Sequence, residues 1–293
     1  MSHGFTRRQV LRTLGAVGGL ALPPCLAGAK AEADPWPVQR LAPGGIARLP
    51  LGAALQRPEV QSTDGSPVLV VGGSEAWTAL LGIELGAKLG PAAVQVTRAG
   101  QPGARIGYTV GAHPYPEQRL KVAPGHVDLS PENAARAARE RQHLIGVMAT
   151  FSEPFPQQLI MRAPVPGRRS SSFGLRRIFN GQPRSPHSGM DIAAATGTPV
   201  QSPLAGKVID TGDYFFAGRS VWVDHGGGLL SLLCHLSEIR CQVGDAVAAG
   251  QVLALVGATG RVTGPHLHWG VCMNTAMVDP ALLLGETRAK PMI

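Results

Sequence analysis

The stretch Thr259-Gly260-Arg261-Val262-Thr263-Gly264-Pro265-His266-Leu267-His268-Trp269 decides how this chain is read. A glycine-rich turn runs into two histidines two residues apart. Alternate side chains of a strand share a face, so the spacing predicts that His266 and His268 point the same way. Trp269, Val271 and Met273 then line the opposite face. Two imidazoles on one face can hold a metal, or one can hold it while the other handles protons.

Upstream of this stretch, short β-type runs alternate with glycine turns: Thr198 to Gln201, Gly206 to Asp210, Ser220 to Asp224, Leu229 to His235 and Val252 to Val256. Such spacing predicts a compact, mainly antiparallel sheet structure. Two sites within it bear on the histidine pair. In His187-Ser188-Gly189-Met190-Asp191, the imidazole and the carboxylate lie four residues apart. An extended chain puts both on one face, and Pro186 and Gly189 disfavour a helix. His and Asp are both zinc ligands, although this spacing alone is weakly specific. The second site is Leu232-Leu233-Cys234-His235, where an imidazole ends an apolar run. By itself, His235 reads as a hydrogen-bonded core histidine. His225 reads as a strand end at a turn. Arg176, Tyr214 and Phe215 are candidates for a substrate groove, with core or surface packing equally open. Gly189 and Gly264 are expected to allow tight backbone paths beside a metal.

Taken together, residues from about Phe173 to Pro280 resemble the lysostaphin-type zinc endopeptidases of bacterial cell walls. The matching pieces are Phe173-Gly174-Leu175-Arg176, His187 to Asp191, Gly197-Thr198-Pro199-Val200 and Cys234-His235-Leu236. They continue through Val243-Gly244-Asp245 and Gly250-Gln251 to Gly260 through His268. Residue by residue, the resemblance implies a single Zn2+ held by His187, Asp191 and His268, with the fourth coordination place left for water. It implies catalytic roles for His235 and His266 as acid-base and transition-state groups, leaving open which does which. The implied reaction is hydrolysis of peptide cross-links in peptidoglycan, with a D-alanine to diaminopimelate bond as the expected target. The implied fold is mainly β: a compact antiparallel peptidase domain preceded by a small β-sandwich-like domain and a connecting helix.

That earlier part reads as follows. Residues 35–125 form an amino-terminal β domain, with strands at Pro67 to Gly73, Trp77 to Ile83, Ala93 to Thr97 and Ile106 to Val110. It resembles, less specifically, the module that accompanies some of these enzymes, and reads as a binding or positioning unit. His113 and His126 are surface histidines in proline-rich loops. Ser130-Pro131-Glu132 opens a helix over 130–150, because Ser is a good N-cap, Pro suits the first helical position and Glu132 favours the dipole. Leu144, Val147 and Met148 form its apolar edge; Arg136, Arg139, Glu140 and Arg141 form a solvated face. The helix connects the domains, and Pro154, Pro156, Pro164 and Pro166 mark an extended linker over 151–168. The peptidase domain occupies 169–285.

The chain opens with Thr6-Arg7-Arg8-Gln9-Val10-Leu11-Arg12 and an apolar run from Leu14 to Leu22, which predicts a twin-arginine-type signal peptide over 1–31. The rival reading, lipid attachment at Cys25, fits Pro23-Pro24 poorly. Export to the periplasm follows, with no stable membrane span after signal removal. Four of the 27 basic residues (Arg7, Arg8, Arg12 and Lys30) fall in this leader, leaving 23 against 19 acidic. That mild excess suits an anionic wall polymer and argues against nucleic acid. Cys234, Cys241 and Cys272 remain after Cys25 is removed, an odd number with no zinc-ribbon spacing, and read as small buried thiols. Two other classes compete. Val243 to Leu253 resembles the hairpin of biotinyl and lipoyl carriers, but Gly257-Ala258-Thr259-Gly260-Arg261 lacks their lysine. A non-catalytic wall-binding regulator would keep the fold without zinc. A regulatory protein partner is left open.

Overall fold

A computed structural model describes residues 35–120, 129–179, 181–183 and 185–285. The leader, Cys25 and His126 lie outside the described residues. The first part contains β1 (Ile46–Gly52), β2 (Glu59–Gln61), β3 (Leu69–Gly73), β4 (Ala76–Gly82), β5 (Gly90–Thr97) and β6 (Ala104–Val110). They form two antiparallel sheets, ordered β1-β4-β3 and β2-β5-β6. Ala47, Leu49, Val70, Ala79 and Leu81 from one sheet meet Val60, Val94, Val96 and Val110 from the other, giving a sandwich core. The reverse face of the first sheet is also buried. Ile46, Leu69 and Leu80 join the core of the second half, packed with residues such as Leu229, Met273 and Val278. This explains why the run Pro67 to Val71 is continuously apolar and does not alternate: a strand buried on both faces needs no polar side.

Next comes β7 (Glu117–Leu120), followed by α1 (Pro131–Met148). The Ser130 hydroxyl accepts from the Asn133 amide at 3.2 Å, as the sequence predicts. The helix does more than connect. Leu144, Val147 and Met148 cover Trp222, Leu230 and Cys272. Its polar face is not simply solvated: Arg136 donates to the Asp213 carbonyl at 2.8 Å, and Glu140 accepts from the Phe215 amide at 2.8 Å. Arg139 and Arg141 are exposed. The segment 151–168 is irregular but packed, with Leu159, Met161 and Val165 buried in the main core.

The remaining strands are β8 (Arg169–Ser171), β9 (Arg176–Phe179), β10 (Gln182–Pro183), β11 (Met190–Ile192), β12 (Pro199–Gln201), β13 (Gly206–Tyr214) and β14 (Gly218–Asp224). They continue with β15 (Leu229–Ile239), β16 (Ala246–Val247), β17 (Val252–Val256), β18 (Leu267–Met273) and β19 (Ala276–Val278). The main antiparallel sheet runs β16-β13-β14-β15-β18-β11-β8, with β17 bridging β12 and β15. Leu267, Trp269, Val271 and Met273 are completely buried, so that face of β18 is core; on the other face Cys272 is buried under α1 and only the His266 and His268 end is partly open. One pairing has no signature in the sequence: β7 adds in parallel to β9, outside the main sheet. Among the described residues, no helix is long and apolar enough to cross a membrane.

Candidate metal centre and its histidines

Neighbouring strands of the main sheet bring the predicted residues together. Asp191 on β11 is paired in register with His268 on β18. On the far side of β18, Cys234 of β15 is paired with the same His268. The next residue, His235, stands where β15 stops pairing with β18 and, from Leu236, pairs with β17. Its backbone is left-handed, with φ 63°. A non-glycine residue pays about 1–3 kcal/mol for such a conformation. Here it is held by the His235 amide donating to the Ala217 carbonyl at 2.9 Å.

The donor atoms converge. His187 Nε2 lies 3.0 Å from Asp191 Oδ1, His268 Nδ1 lies 2.9 Å from the same oxygen, and the two nitrogens are 2.9 Å apart. His187 Nδ1 faces the Ser172 carbonyl oxygen at 2.9 Å. A carbonyl only accepts, so Nδ1 carries the hydrogen and Nε2 presents a lone pair. Two ring lone pairs and a carboxylate oxygen crowded at one point are favourable only around a cation or a shared proton. In a tetrahedral zinc site with bonds near 2.0–2.1 Å, adjacent donors sit about 3.4 Å apart. The trio needs to open by only a few tenths of an ångström to reach that geometry. Two imidazoles and one carboxylate are also a donor set that zinc accepts. His187, Asp191 and His268 are the grouping of this kind found among the described residues.

The other two histidines flank this trio. His266 Nε2 is 3.7 Å from Asp191 Oδ1. Its ring centroid is 4.8 Å from that of His235, which in turn is 5.9 Å from His268. His266 Nδ1 lies 2.9 Å from the Gly264 carbonyl oxygen, and His235 Nδ1 lies 2.9 Å from that of Thr259. Both rings therefore donate from Nδ1 and keep Nε2 as their acceptor. The loop quoted at the outset holds both.

Electrostatics follow from burial. Desolvation alone would raise the Asp191 carboxyl, but the close approach of the His187 and His268 rings holds it well below the usual carboxylate range. Burial pushes the His235 ring down to about 4, helped by the neighbouring His268 and His266. Burial likewise lowers His268 despite its bond to Asp191. Burial pushes the Cys234 thiol up to about 12, so it is no nucleophile despite its place beside His235.

The structure decides several expectations left open, and corrects the one at Gly264. Tyr214 does not face a groove: its hydroxyl donates to Asp210 Oδ2 at 2.5 Å and its ring stacks on His143 of α1. Phe215 packs edge-on against Phe216 beside Arg136. Gly189 is needed beside the His268 ring, since a Cβ there would fall 2.7 Å from His268 Nε2. Gly264 is not, because a Cβ there would meet nothing within 4 Å. His113 is exposed, with its ring 4.7 Å from that of Tyr115. His225 ends its strand but is buried, bound through Nδ1 to the Ala205 carbonyl and through Nε2 to Ser231. Cys234, Cys241 and Cys272 are all free. The sequence reasoning missed the carbonyls of Ser172, Thr259 and Gly264, since any residue can supply a carbonyl.

Comparison with known proteins agrees with this arrangement. Peptidase family M23 matches over residues 185–280, and the family's N-terminal domain over residues 39–113. A crystal structure of a peptidase M23 from Pseudomonas aeruginosa is 40% identical, covers 85% of this chain and 96% of its own, and superposes with a TM-score of 0.72. The chain belongs to peptidase family M23. Among curated M23 relatives, the peptidoglycan DD-endopeptidase ShyA of Vibrio cholerae is 41% identical over 126 residues, 42% of this chain and 29% of that protein. The DD-carboxypeptidase/endopeptidase Mpg of Neisseria meningitidis is 38% identical over 113 residues, 39% of this chain and 26% of that protein. The chain thus spans under a third of the length of these two relatives. All five histidine and aspartate positions singled out in the sequence meet at one place in this M23 fold.

Proposed function

We propose that this M23 chain is a zinc-dependent endopeptidase that hydrolyses peptide cross-links of peptidoglycan between two D-centres, in the periplasm, after export by the twin-arginine route. The observation that carries the reading is the approach of the His187, Asp191 and His268 donor atoms to within 3.0 Å of one another, with two further imidazoles beside them. The activities named for the Vibrio and Neisseria relatives support the substrate class. Residues 169–285 then carry the chemistry, and residues 35–125 position or bind the wall.

His187, Asp191 and His268 would hold the ion, and the bound ion supplies Lewis acidity and a water that deprotonates near neutral pH. The chain's own residues do the rest. Asp191 offsets the ion's charge. The two remaining rings keep Nε2 as their acceptor, so one can take a proton from water. Once protonated, such a ring can return that proton to the leaving nitrogen, while the other can donate to the developing oxyanion only from a protonated Nε2. Burial keeps the His235 ring neutral in the resting site. The alternative, a wall-binding regulator without catalysis, gives no reason to keep all five side chains converged.

The test incubates the protein with purified sacculi, with chelator, and with chelator followed by zinc, and identifies the soluble muropeptides by mass spectrometry. The proposal expects release of monomers from cross-linked dimers, loss with chelator and return with zinc. Undiminished hydrolysis in a sample shown to be metal-free would remove the metal mechanism.

A further inference from the structure

Granted that proposed function, we infer that Arg261, braced on Phe216, is the residue that reads the free carboxylate adjoining the scissile amide on its leaving-group side. The loop from Thr259 to Gly264 lends one carbonyl to His235 and another to His266, and Arg261 lies between those carbonyls. Its amide donates to the Phe216 carbonyl at 3.0 Å, and its guanidinium carbon stands 4.4 Å above the Phe216 ring. Gly260 locks this junction. It has φ 74°, and a Cβ there would fall 2.4 Å from the Gly218 amide nitrogen and 2.6 Å from the Phe216 carbonyl oxygen. Phe216 itself is 39% exposed, an unusual position for a large aromatic ring. The next residue, Ala217, holds the His235 amide. The Arg261-Phe216 pair is thus joined through backbone to the loop that holds His266 and to the turn that holds His235, whereas His187 and its Ser172 acceptor belong to the β8 and β11 end of the site.

The chemistry fits this placement. In a wall cross-link between two D-centres, the carbon bearing the leaving nitrogen also bears a carboxylate that no peptide bond uses. The histidines that protonate the leaving nitrogen must sit beside that nitrogen, which brings the carboxylate to their side of the cleft. A guanidinium is permanently charged, planar, and presents a fork that matches a carboxylate. Stacking on an aromatic face restrains it, so less freedom is lost on binding. Arg261 acts on specificity and positioning and takes no part in proton transfer.

The experiment measures kcat/KM on a cross-linked dimer and on the same dimer with that carboxylate converted to an amide. Wild type, Arg261→Ala, Arg261→Lys and Phe216→Ala are compared, each after zinc content and melting temperature are matched. A charge-assisted hydrogen bond of about 1.5–3 kcal/mol corresponds to about 10- to 100-fold. Arg261→Ala should lose that factor on the acid and nothing further on the amide. Arg261→Lys should recover part of it, and Phe216→Ala should show a smaller loss confined to the acid. Equal losses on both substrates, or a wild type indifferent to amidation, would overturn the assignment while leaving the peptidase reading intact. A wild type that cleaves neither dimer, though loaded with zinc, would overturn the peptidase reading and this inference with it.

Discussion

Replacing Gly189 with alanine puts the proposed metal site under a defined strain. The added methyl would lie 2.6 Å from the Trp269 carbonyl oxygen and 2.7 Å from both Cε1 and Nε2 of His268. Ordinary contact for such atoms begins near 3.4–3.5 Å, so about 0.7 Å has to be found. The Trp269 carbonyl belongs to β18, which is paired on both sides, and moves little. The His268 ring must give. Overpacking of this kind costs about 1–3 kcal/mol of stability. Metal ligands tolerate displacements of about 0.2 Å, and disturbing what orients a ligand typically lowers metal affinity about 10- to 100-fold. Gly264→Ala is the control, because its Cβ would meet nothing within 4 Å and its backbone lies outside the left-handed region. It should stay within about 0.5 kcal/mol of wild type. The assay is a competition titration of zinc against a chromophoric chelator, paired with thermal melts of the metal-free proteins. Wild-type zinc affinity and melting in Gly189→Ala would refute the steric account. So would a loss in Gly264→Ala as large as that in Gly189→Ala.

Other expectations rest on different contacts. His268→Ala should abolish both zinc binding and hydrolysis, whereas His235→Ala should keep zinc, by elemental analysis, and lose at least about 100-fold in turnover. Unchanged turnover would remove His235 from the mechanism. Burial holds the His225 ring near 4, below the ordinary 6.5, so the neutral ring is favoured in the folded chain. The unfolded chain then binds the extra proton first. Its contribution is present above pH 6.5 and is lost as the pH falls toward 4, at most about 3 kcal/mol. His225→Gln should flatten that part of the stability-pH profile in urea titrations, and an unaltered slope would show that His225 does not set it. Tyr214→Phe removes a hydroxyl donor from the buried Asp210 and should cost about 1–3 kcal/mol in denaturant midpoints, with zinc affinity unchanged. No change in midpoint would show that this contact adds nothing to stability.

Local features were legible in the chain because they depend on backbone geometry over a few residues. The His266-x-His268 spacing, the Ser130 cap and the alternation along β5 and β6 needed nothing beyond the period of a strand or the orphan amides of a helix start. The resemblance of the surrounding pieces then named the ligand set, which no local rule supplies. Tertiary structure alone decided three further matters. Taken alone, His235 looked like an ordinary end to an apolar run, and only the resemblance gave it a role; it reaches the site because β15 changes partner there, from β18 to β17. The rings of His187, His235 and His266 are set by carbonyls, which every residue carries and no sequence pattern marks. Asp191 meets His268 because two strands far apart in the chain pair in one register, a choice made by the cores they bury together. The amino acid order determined which chemical groups exist and which side of each strand they take. Which of those sides face one another was settled only when distant strands closed over a common core, since that depends on long-range packing and not on neighbours along the chain.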